Sequence, residues 1–515
     1  MTDIGLWTIA GLTPDRTAAI EPDGTVVSYA GLADRADRLG RGLQALGLTA
    51  GDTVAGMLPN GADALALFFA ALQTGLYVVP VNWHLTAPEV GYILADSEAK
   101  AFIAHQRFAG VAAAAADQAG IAPNARFAVG PIDGFAPLAD LGRGGEGRPK
   151  NRTAGAPMLY TSGTSGRPKG VRRPLTGADP DAVPPYTAWF FAIFGLSPFD
   201  GHVHLCCSPL YHTAVLNFAT ISVQLGHPVV LMDRFDPVTL LALVERHRVT
   251  SSHMVPTQFR RLLALPEQVR GRYDVSSLRC MIHAAAPCPP EVKRKMIDWW
   301  GPVVTEYYAA TEGGGSVITA DRWLERPGSV GTAWPGSEVR VLDERGDDVP
   351  AGQTGLVYLR MGDSSFEYHK DPAKTRASRA KGLFTVGDIG YLDADGYLYL
   401  CDRQSDMIIS GGVNIYPAEI ESELSCHPAV GDVAVFGIPN QEWGEEIKAV
   451  VQPADWVTPD EALTAELLSF LDGRLAKFKL PRTIDYVAEL PRDPNGKLYK
   501  RRLRDPYWAA RGKSI

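Results

Sequence analysis

The sequence predicts an α/β protein with a large N-terminal region and a small C-terminal domain. Short apolar runs that are typical of buried strands alternate with helical patterns along most of the chain. The length of 515 residues exceeds what one compact core holds and therefore favours more than one domain. Strand and helix patterns begin afresh near Ser405, which predicts a compact C-terminal unit from that point.

The first predicted helix spans residues 30–46, where leucine and alanine recur at helical spacing. Ser28 before it is a candidate N-cap, and Gly47 after it favours a C-terminal stop. A strand-like run at 53–58 follows. Further strands are predicted at 229–232, 250–255, 280–284 and 303–308, with helices between them at 237–247 and 290–300.

Two other regions have their own patterns. Residues 112–150 are rich in alanine and glycine and weakly structured, with an ordinary surface helix expected over the alanine tract at 112–116. Residues 357–400 favour β structure, with a turn at Asp395-Gly396. In the C-terminal unit we expect strands at 407–410, 433–437 and 447–451, and a helix that begins at Pro417.

Composition and charge exclude several classes of function. A net charge of −8 argues against nucleic acid as a partner, because nucleic acid requires a basic face. The six cysteines include no CxxC pair, which is typical of a reducing compartment. The most apolar stretch, 64–81, is interrupted by Gln73, Gly75 and Pro80, so stable membrane insertion is not expected. Because the first residues also lack a signal-peptide pattern, we predict a cytoplasmic protein.

The clearest chemical motif is the segment 160–170, with the sequence YTSGTSGRPKG. Its glycines let backbone N–H groups approach a polyphosphate closely, while its hydroxyl groups and Lys169 add donors. The segment is not a Walker A loop, because the GxxxxGK[ST] pattern is absent. A plain glycine-serine turn has a similar composition but not this order of residues. The segment therefore predicts a phosphate-binding loop.

This loop resembles the signature of the adenylate-forming superfamily, which comprises acyl-CoA synthetases, peptide-synthetase adenylation domains and luciferases. The resemblance extends over nearly the whole chain, because four further motifs follow in the family's order. They are EYYAATE at 306–312, TVGD at 385–388, Asp402-Arg403 with Asp406, and PRDPNGK at 491–497. Each motif alone is weak, but their common order is specific. Within this superfamily, the sequence most resembles bacterial fatty-acid-type or dicarboxylate-type CoA ligases.

The resemblance implies a role for individual residues. Tyr308 would lie against adenine, Asp388 and Arg403 would bind the ribose, and Thr311 would contact phosphate. Glu312 would hold Mg²⁺, and Lys497 would be the catalytic lysine, so Lys497, Thr311 and Glu312 are the candidate catalytic residues. The residues expected to contact ATP are Thr161, Ser162, Gly163, Thr164, Ser165, Gly166, Lys169, Ala285, Ala286, Tyr308, Asp388 and Arg403.

The resemblance also implies the domain arrangement. Residues 1–402 would form sheets packed with helices in a five-layered αβαβα arrangement plus a β-rich subdomain. Residues 403–515 would form a small mobile α+β domain, with its hinge at 403–406. Ser405 occupies the hinge position, where the family often has lysine or aspartate. A rotation about this hinge would bring Lys497 in for adenylation and remove it for the second step.

The chemistry of the reaction agrees with these residue types. A carboxylate that attacks the α-phosphate of ATP must overcome repulsion between two anions. Mg²⁺ on Glu312 together with Lys497 would supply the required positive charge. An aspartate suits the ribose diol, because each of its two oxygens accepts a hydroxyl hydrogen.

The expected substrate is an apolar carboxylic acid. Peptide-synthetase domains hold the α-ammonium of an amino acid with an aspartate, but the comparable stretch here, 208–217, contains no acidic residue. Ala309 stands where the family usually has glycine, and its methyl group would either narrow the pocket or shift the backbone slightly. The candidate walls of the acyl pocket are Tyr211, His212, Val215, Leu216, Ala284 and Ala310.

The acceptor is left open between several possibilities. Coenzyme A is the favoured acceptor, and Gly411-Gly412 is suited to a backbone lying close to pantetheine, although a glycine turn explains the pair equally well. The alternatives are an amide-forming ligase that passes the adenylate to an amine, a loader of a separate carrier protein, and a non-catalytic acyl-AMP binding protein. Retention of Lys169, Glu312, Asp388 and Lys497 together argues against the last of these.

Overall fold

A computed structural model describes residues 3–161, 168–362, 365–492 and 498–509 of the chain. Its secondary structure is mixed, with α-helices and β-strands along the whole length, which confirms the predicted α/β class. The described residues fall into two compact units. Unit 1 is drawn from Met1–Met254, Leu265–Ile282 and Asp363–Ala377, and unit 2 from Val255–Ala264, His283–Gly362 and Ser378–Ile515.

The α-helices, in chain order, are α1 (Leu6–Leu12), α2 (Tyr29–Ala45), α3 (Ala62–Gln73), α4 (Ala87–Asp96), α5 (Ala109–Gln118), α6 (Pro184–Ala192), α7 (Thr213–Gln224), α8 (Pro237–His247), α9 (Pro256–Leu263), α10 (Glu267–Arg270), α11 (Pro290–Trp300), α12 (Ala320–Glu325), α13 (Pro372–Ala377), α14 (Pro417–Leu424), α15 (Glu461–Leu471) and α16 (Lys500–Ala509).

The first strands are β1 (Thr17–Ile20), β2 (Val26–Ser28), β3 (Thr53–Met57), β4 (Tyr77–Pro80), β5 (Ala99–His105), β6 (Arg126–Val129), β7 (Ala136–Pro137), β8 (Ala156–Pro157), β9 (Leu159–Thr161), β10 (Lys169–Arg172), β11 (His204–Cys206), β12 (Val229–Leu231), β13 (Ser251–Met254) and β14 (Cys280–His283). The remaining strands are β15 (Val304–Ala309), β16 (Gly315–Ile318), β17 (Ser329–Ala333), β18 (Ser337–Leu342), β19 (Gly355–Met361), β20 (Glu367–Tyr368), β21 (Arg379–Ala380), β22 (Leu383–Phe384), β23 (Asp388–Leu392), β24 (Leu398–Arg403), β25 (Ile408–Ser410), β26 (Val413–Ile415), β27 (Val430–Asn440), β28 (Gly444–Pro453) and β29 (Thr483–Tyr486).

Unit 1 is built on largely parallel sheets. One sheet has the order β7-β6-β5-β3-β4-β8 with parallel neighbours throughout, and another runs β2-β1-β12-β11-β13-β14. Strands in such sheets are covered on both faces, so their residues are apolar along their length. All five residues of β3 are buried, which explains why this stretch has no charged residue and is mostly apolar.

Unit 2 is mostly antiparallel. One part has the strand order β15-β16-β17-β24-β23-β19-β22-β21, with β18 paired to β19. A smaller sheet, β26-β25-β28-β27, carries β29 as a parallel neighbour of β28. The core of this smaller part is formed by helices and strands that follow residue 405. Its central members are Ile420, Val435, Ala449, Val451 and Leu467.

Local signals in the sequence account for most of the predicted elements. Helix α2 begins as expected, because the Ser28 side chain accepts a hydrogen bond from the Gly31 backbone N–H. Helices α8 and α11 have the predicted bounds. The alanine tract lies in α5, where Ala112, Ala115 and Ala116 are buried, so one face of this helix belongs to the core. The zone expected to be weakly structured also contains β6, a strand too short to produce a clear pattern.

Candidate active site

Three side chains of unit 2 form a connected polar cluster. Tyr308 lies in β15, while Asp388 and Arg403 are register partners in the β23–β24 pair. The Tyr308 hydroxyl donates to Asp388 Oδ2 at 2.6 Å, and Arg403 Nε lies 3.3 Å from Asp388 Oδ1. Asp388 is only 8% exposed. Since an ionised carboxylate has about four acceptor sites, these contacts leave capacity for the two hydroxyl groups of a diol.

The environment keeps the Tyr308 phenol protonated. Burial raises the pKa of Tyr308 well above its usual value, and the negative charges of Asp388 and Glu312 raise it further, while Arg403 acts in the opposite direction. The phenol therefore remains a hydrogen-bond donor to Asp388 at neutral pH. This places the ring at a fixed position beside the carboxylate.

Glu312 lies in the turn between β15 and β16, directly after Thr311. Its side chain is buried, at 7% exposure, and its charge reaches Tyr308. The turn requires glycine next: Gly314 has φ of +72°, and a Cβ there would lie 3.0 Å from the Arg360 carbonyl oxygen. The turn thus holds Glu312 in place close to the Tyr308–Asp388 pair.

A single buried carboxylate is compatible with Mg²⁺. This ion is commonly bound by one or two carboxylates and completed by substrate phosphates and water. Among the residues that the structure describes, no group of three or more His, Cys, Asp or Glu side chains forms a metal site by itself. Glu312 therefore fits a metal that is held mainly by the nucleotide.

The predicted adenine-side segment Ala284-Ala285-Ala286 directly follows β14. Ala285 has φ of +72°, a left-handed conformation that is uncommon for a residue with a side chain. Its methyl group is exposed, while Ala284 is buried. Strained backbone of this kind is often found at ligand-binding sites, where the surrounding structure holds it in place.

A buried ion pair joins α11 to β15, and it was not predicted from the sequence. Lys293 on α11 is fully buried, and its Nζ lies 2.6 Å from Glu306 Oε2 on β15. His283 Nε2 lies 3.6 Å from the same oxygen, and Lys293 Nζ lies 4.8 Å from the centre of the Trp323 ring. Burial raises the pKa of Glu306, and Lys293 opposes this shift. The pair joins α11 to the strand that carries Tyr308.

In unit 1, both ends of the predicted phosphate loop are in place. Thr161 in β9 and Lys169 in β10 are antiparallel partners, so the two strands that flank the loop are paired. Ser162, Gly163, Thr164, Ser165 and Gly166 lie outside the described residues. Lys169 Nζ lies 3.2 Å from Asp371 Oδ2. The backbone N–H of Lys374 and the hydrogen bond from Lys169 lower the pKa of Asp371, so this carboxyl group is ionised at neutral pH.

This pair of strands is also fixed from the side. The Tyr160 hydroxyl donates to Asp96 Oδ2 at 2.7 Å, and His369 Nε2 lies 3.0 Å from the Asp96 carbonyl oxygen. The His369 backbone N–H donates to the Gly170 carbonyl oxygen at 2.8 Å. These contacts attach the base of the loop to the end of α4.

Four predicted residues of the acyl pocket lie together at the start of α7. Tyr211 and His212 precede the helix and contact each other at a centroid distance of 4.3 Å, and Val215 and Leu216 lie in its first turns and are buried. Tyr211 packs edge-on against Trp83 at 4.5 Å, a contact that the sequence did not reveal. Tyr211 and Leu216 also line a small cavity of about 30 Å³ with apolar neighbours on α3 and β4.

The other predicted residues fall in unit 2. Ala284 and Ala310 each follow a strand end, of β14 and β15, and Ala309 is the exposed last residue of β15. Ser405 lies in the turn after β24, where its carbonyl oxygen accepts a hydrogen bond from Arg504 at 3.3 Å. Lys497 lies outside the described residues.

Comparison with known proteins places this geometry in context. Residues 6–367 match the family described as AMP-binding enzyme, and residues 419–497 match the AMP-binding enzyme C-terminal domain. A feruloyl-CoA synthase from Amycolatopsis sp is 34% identical over 510 residues, which cover 97% of this chain and 98% of the relative.

Two solved structures are similar over nearly the whole chain. ATP-bound MatB from Rhodopseudomonas palustris has a TM-score of 0.81 and 32% identity, covering 97% of this chain and 98% of that one. The amide bond synthetase McbA from Marinactinospora thermotolerans has a TM-score of 0.81 and 26% identity, covering 96% and 97% of the two chains.

None of the described helices is both long enough and apolar enough to cross a bilayer.

Proposed function

Because the chain belongs to the AMP-binding enzyme family, we propose that it uses ATP to convert an apolar carboxylic acid into an acyl-adenylate and then transfers the acyl group to coenzyme A. The family membership confirms the interpretation of the chain as an adenylate-forming ligase. The observation that carries the proposal for this chain's own residues is the contact of Tyr308 and Arg403 with Asp388 beside the buried Glu312.

In the proposed reaction, Asp388 binds the ribose diol and Tyr308 lies against adenine. The hydrogen bond from Tyr308 fixes one carboxylate oxygen, and Arg403 compensates the negative charge. Ala285 and Ala286 provide backbone on the adenine side. These groups would bind and orient the nucleotide before any bond changes, which lowers the entropy cost of the reaction.

Glu312 would hold Mg²⁺, which neutralises phosphate charge when it is bound. Thr311 would contact a phosphate oxygen through its hydroxyl group. Lys169 and the loop from Thr161 to Gly166 would bind the other phosphates. Lys497 would stabilise the charge that develops when a carboxylate oxygen attacks the α-phosphate and pyrophosphate leaves.

The substrate that we propose is an aromatic or aliphatic acid without an α-ammonium group. Tyr211, Val215 and Leu216 are buried and apolar, and the surrounding stretch 208–217 contains no acidic residue. A protonated amine would therefore lose its hydration without gaining a partner. The relative with feruloyl-CoA synthase activity in its name supports an aryl acid as the first substrate class to test.

Coenzyme A is the proposed acceptor, and an amine is the alternative. Names of relatives support both, since one is a CoA synthase and another an amide bond synthetase. Gly411 has a packing reason of its own, because a Cβ there would lie 2.7 Å from the Trp443 ring. Gly412 has open space around it, which suits the approach of a ligand to the backbone.

We further propose that residues 1–402 and 403–515 move relative to each other, with Ser405 in the hinge.

The experiment that tests the function as a whole uses purified protein, ATP and a panel of aryl, aliphatic and α-amino acids, with coenzyme A or a panel of amines as acceptor. We expect AMP and an acyl-CoA thioester with aryl or aliphatic acids. Release of pyrophosphate that is fastest with α-amino acids would contradict the proposed pocket, and an amide as sole product would contradict the acceptor.

A further inference from the structure

Asp432 on β27 is the centre of a second charged cluster in unit 2. Its carboxylate accepts hydrogen bonds from two guanidinium groups. Arg492 binds it through both Nε and Nη2, with Nη2 at 2.9 Å from Oδ1, and Arg260 Nη1 lies 3.0 Å from the same oxygen. The side chain of Asp432 is only 13% exposed. Such bidentate pairs fix the orientation of both partners.

The charge of this carboxylate is retained. Burial acts to raise the pKa of Asp432, but the hydrogen bonds from Arg492 and the charge of Arg260 outweigh it, so the pKa lies below its usual value. Removing the charge would leave two arginines without their shared partner. Loss of one partner from this cluster is therefore expected to have a larger energetic effect than loss of one partner from an exposed surface pair.

Arg492, one of the two arginines bound to Asp432, lies close in sequence to Lys497. Arg492 forms an isolated antiparallel bridge with Leu498, and the Tyr499 backbone N–H donates to the Pro491 carbonyl oxygen at 2.8 Å. Leu498 packs against a small core that includes Phe436 and Leu490. Both flanks of Lys497 are thus attached to β27 and its neighbours, and Asp432 holds the flank on the Arg492 side.

Arg260, the other arginine bound to Asp432, is connected to the candidate nucleotide-binding residues. Arg260 lies on α9, whose Phe259 packs edge-on against Trp300 of α11 at 6.0 Å. Helix α11 in turn carries Lys293, which is paired with Glu306 on β15, the strand of Tyr308. Side-chain contacts between α9 and α11 and between α11 and β15 therefore connect the helix that carries Arg260 to the strand that carries Tyr308.

We propose that Asp432 is a positioning residue for adenylate formation, which holds the Lys497 segment through Arg492 and secures it to α9 through Arg260. Asp432 does not contact the substrate and acts only through these arginines. The inference rests on the proposed adenylation function and on the role of Lys497 in it. If it is correct, loss of the Asp432 charge impairs adenylation but leaves transfer from a preformed adenylate intact, because the lysine is not needed in the second step.

The test compares Asp432→Asn and Arg260→Gln with Glu423→Gln, a control that breaks the more exposed pair of Glu423 on α14 with Arg474, at 3.3 Å. Two reactions are measured: acid-dependent ATP–pyrophosphate exchange, and consumption of chemically prepared acyl-adenylate by coenzyme A. We expect exchange to fall roughly 10- to 100-fold in both test variants, because a small misplacement of a catalytic group has effects of this size. Consumption of the adenylate by the test variants, and both reactions of the control variant, should stay close to wild type.

The double variant Asp432→Asn/Arg260→Gln should lose no more exchange activity than Asp432→Asn alone, since that single change already breaks the interaction with Arg260. Unchanged exchange in the two single variants, or equal losses in both reactions, would overturn the positioning role. Lys497→Ala is measured in parallel. If it abolishes exchange while Asp432→Asn does not, only this inference fails. If wild type shows no acid-dependent exchange, or Lys497→Ala retains it, the proposed function or the role of Lys497 fails, and the inference with it.

Discussion

Replacing Asp388 with asparagine tests the ribose site with little change in shape. Asparagine offers one acceptor oxygen where aspartate offers two, and it removes the negative charge that would accept the hydrogen bonds of the ribose hydroxyls. A hydrogen bond to a charged group contributes about 1.5–3 kcal/mol. We therefore expect kcat/KM for ATP to fall roughly 10- to 150-fold, since about 1.36 kcal/mol corresponds to a factor of ten.

The assay is acid-dependent pyrophosphate release with ATP and with 2′,3′-dideoxy-ATP. Because the dideoxy nucleotide lacks the diol, wild type and Asp388→Asn should use it about equally poorly. Asp395→Asn is the matched control, since Asp395 lies in the exposed turn between β23 and β24, close in sequence to Asp388. If Asp388→Asn loses the same factor with both nucleotides, Asp388 does not bind the ribose hydroxyls.

Three further predictions concern charge and burial. Glu312→Gln should lower adenylation by roughly 10²-fold through loss of the metal ligand, and near-wild-type rates at limiting Mg²⁺ would contradict this. Lys293→Met leaves Glu306 without its partner at 2.6 Å, so the free energy of unfolding in urea should fall by about 3–5 kcal/mol and recover in Lys293→Met/Glu306→Gln; an unaffected single variant would refute the pair's role. Burial lowers the pKa of His204 and that of His253 to about 3, so the unfolded chain alone takes up protons on these rings below about pH 6.5. Stability should then fall between about pH 7 and pH 5, by up to about 1.4 kcal/mol per pH unit for each ring, and less steeply in His204→Gln; equal slopes would contradict this assignment.

The sequence was most informative where the determinants are local. The periodic helices α8 and α11 have the predicted bounds, and the Ser28 cap forms as expected. A common nucleotide-binding role for Tyr308, Asp388 and Arg403 could be predicted only through the resemblance to adenylate-forming enzymes, because Tyr308 lies 80 residues away from Asp388 in the sequence. The register of β23 and β24 explains how two of them meet.

Long-range pairs of charged side chains could not be predicted. Lys293 occurs in an amphipathic helix where a lysine is typical of the surface, yet it is fully buried because β15 presents Glu306 to it. The residues next to Asp432 in sequence are uncharged, and its two arginine partners come from distant segments of the chain. The contact of Trp83 with Tyr211 is of the same kind. In each case the partner is decided by packing between elements, which no local pattern encodes.

In the proposed reaction, the carboxylate of the substrate is joined to the α-phosphate of ATP before the acyl group is transferred. The most direct measurement uses an acid labelled with oxygen-18 in its carboxyl group, together with ATP, Mg²⁺ and coenzyme A, and analyses the nucleotide product by mass spectrometry. Attack on the α-phosphate leaves a carboxylate oxygen on phosphorus when the acyl group departs. We therefore predict AMP that carries one labelled oxygen, alongside unlabelled pyrophosphate and an acyl-CoA thioester. Unlabelled AMP, or ADP with labelled phosphate, would contradict an acyl-adenylate intermediate.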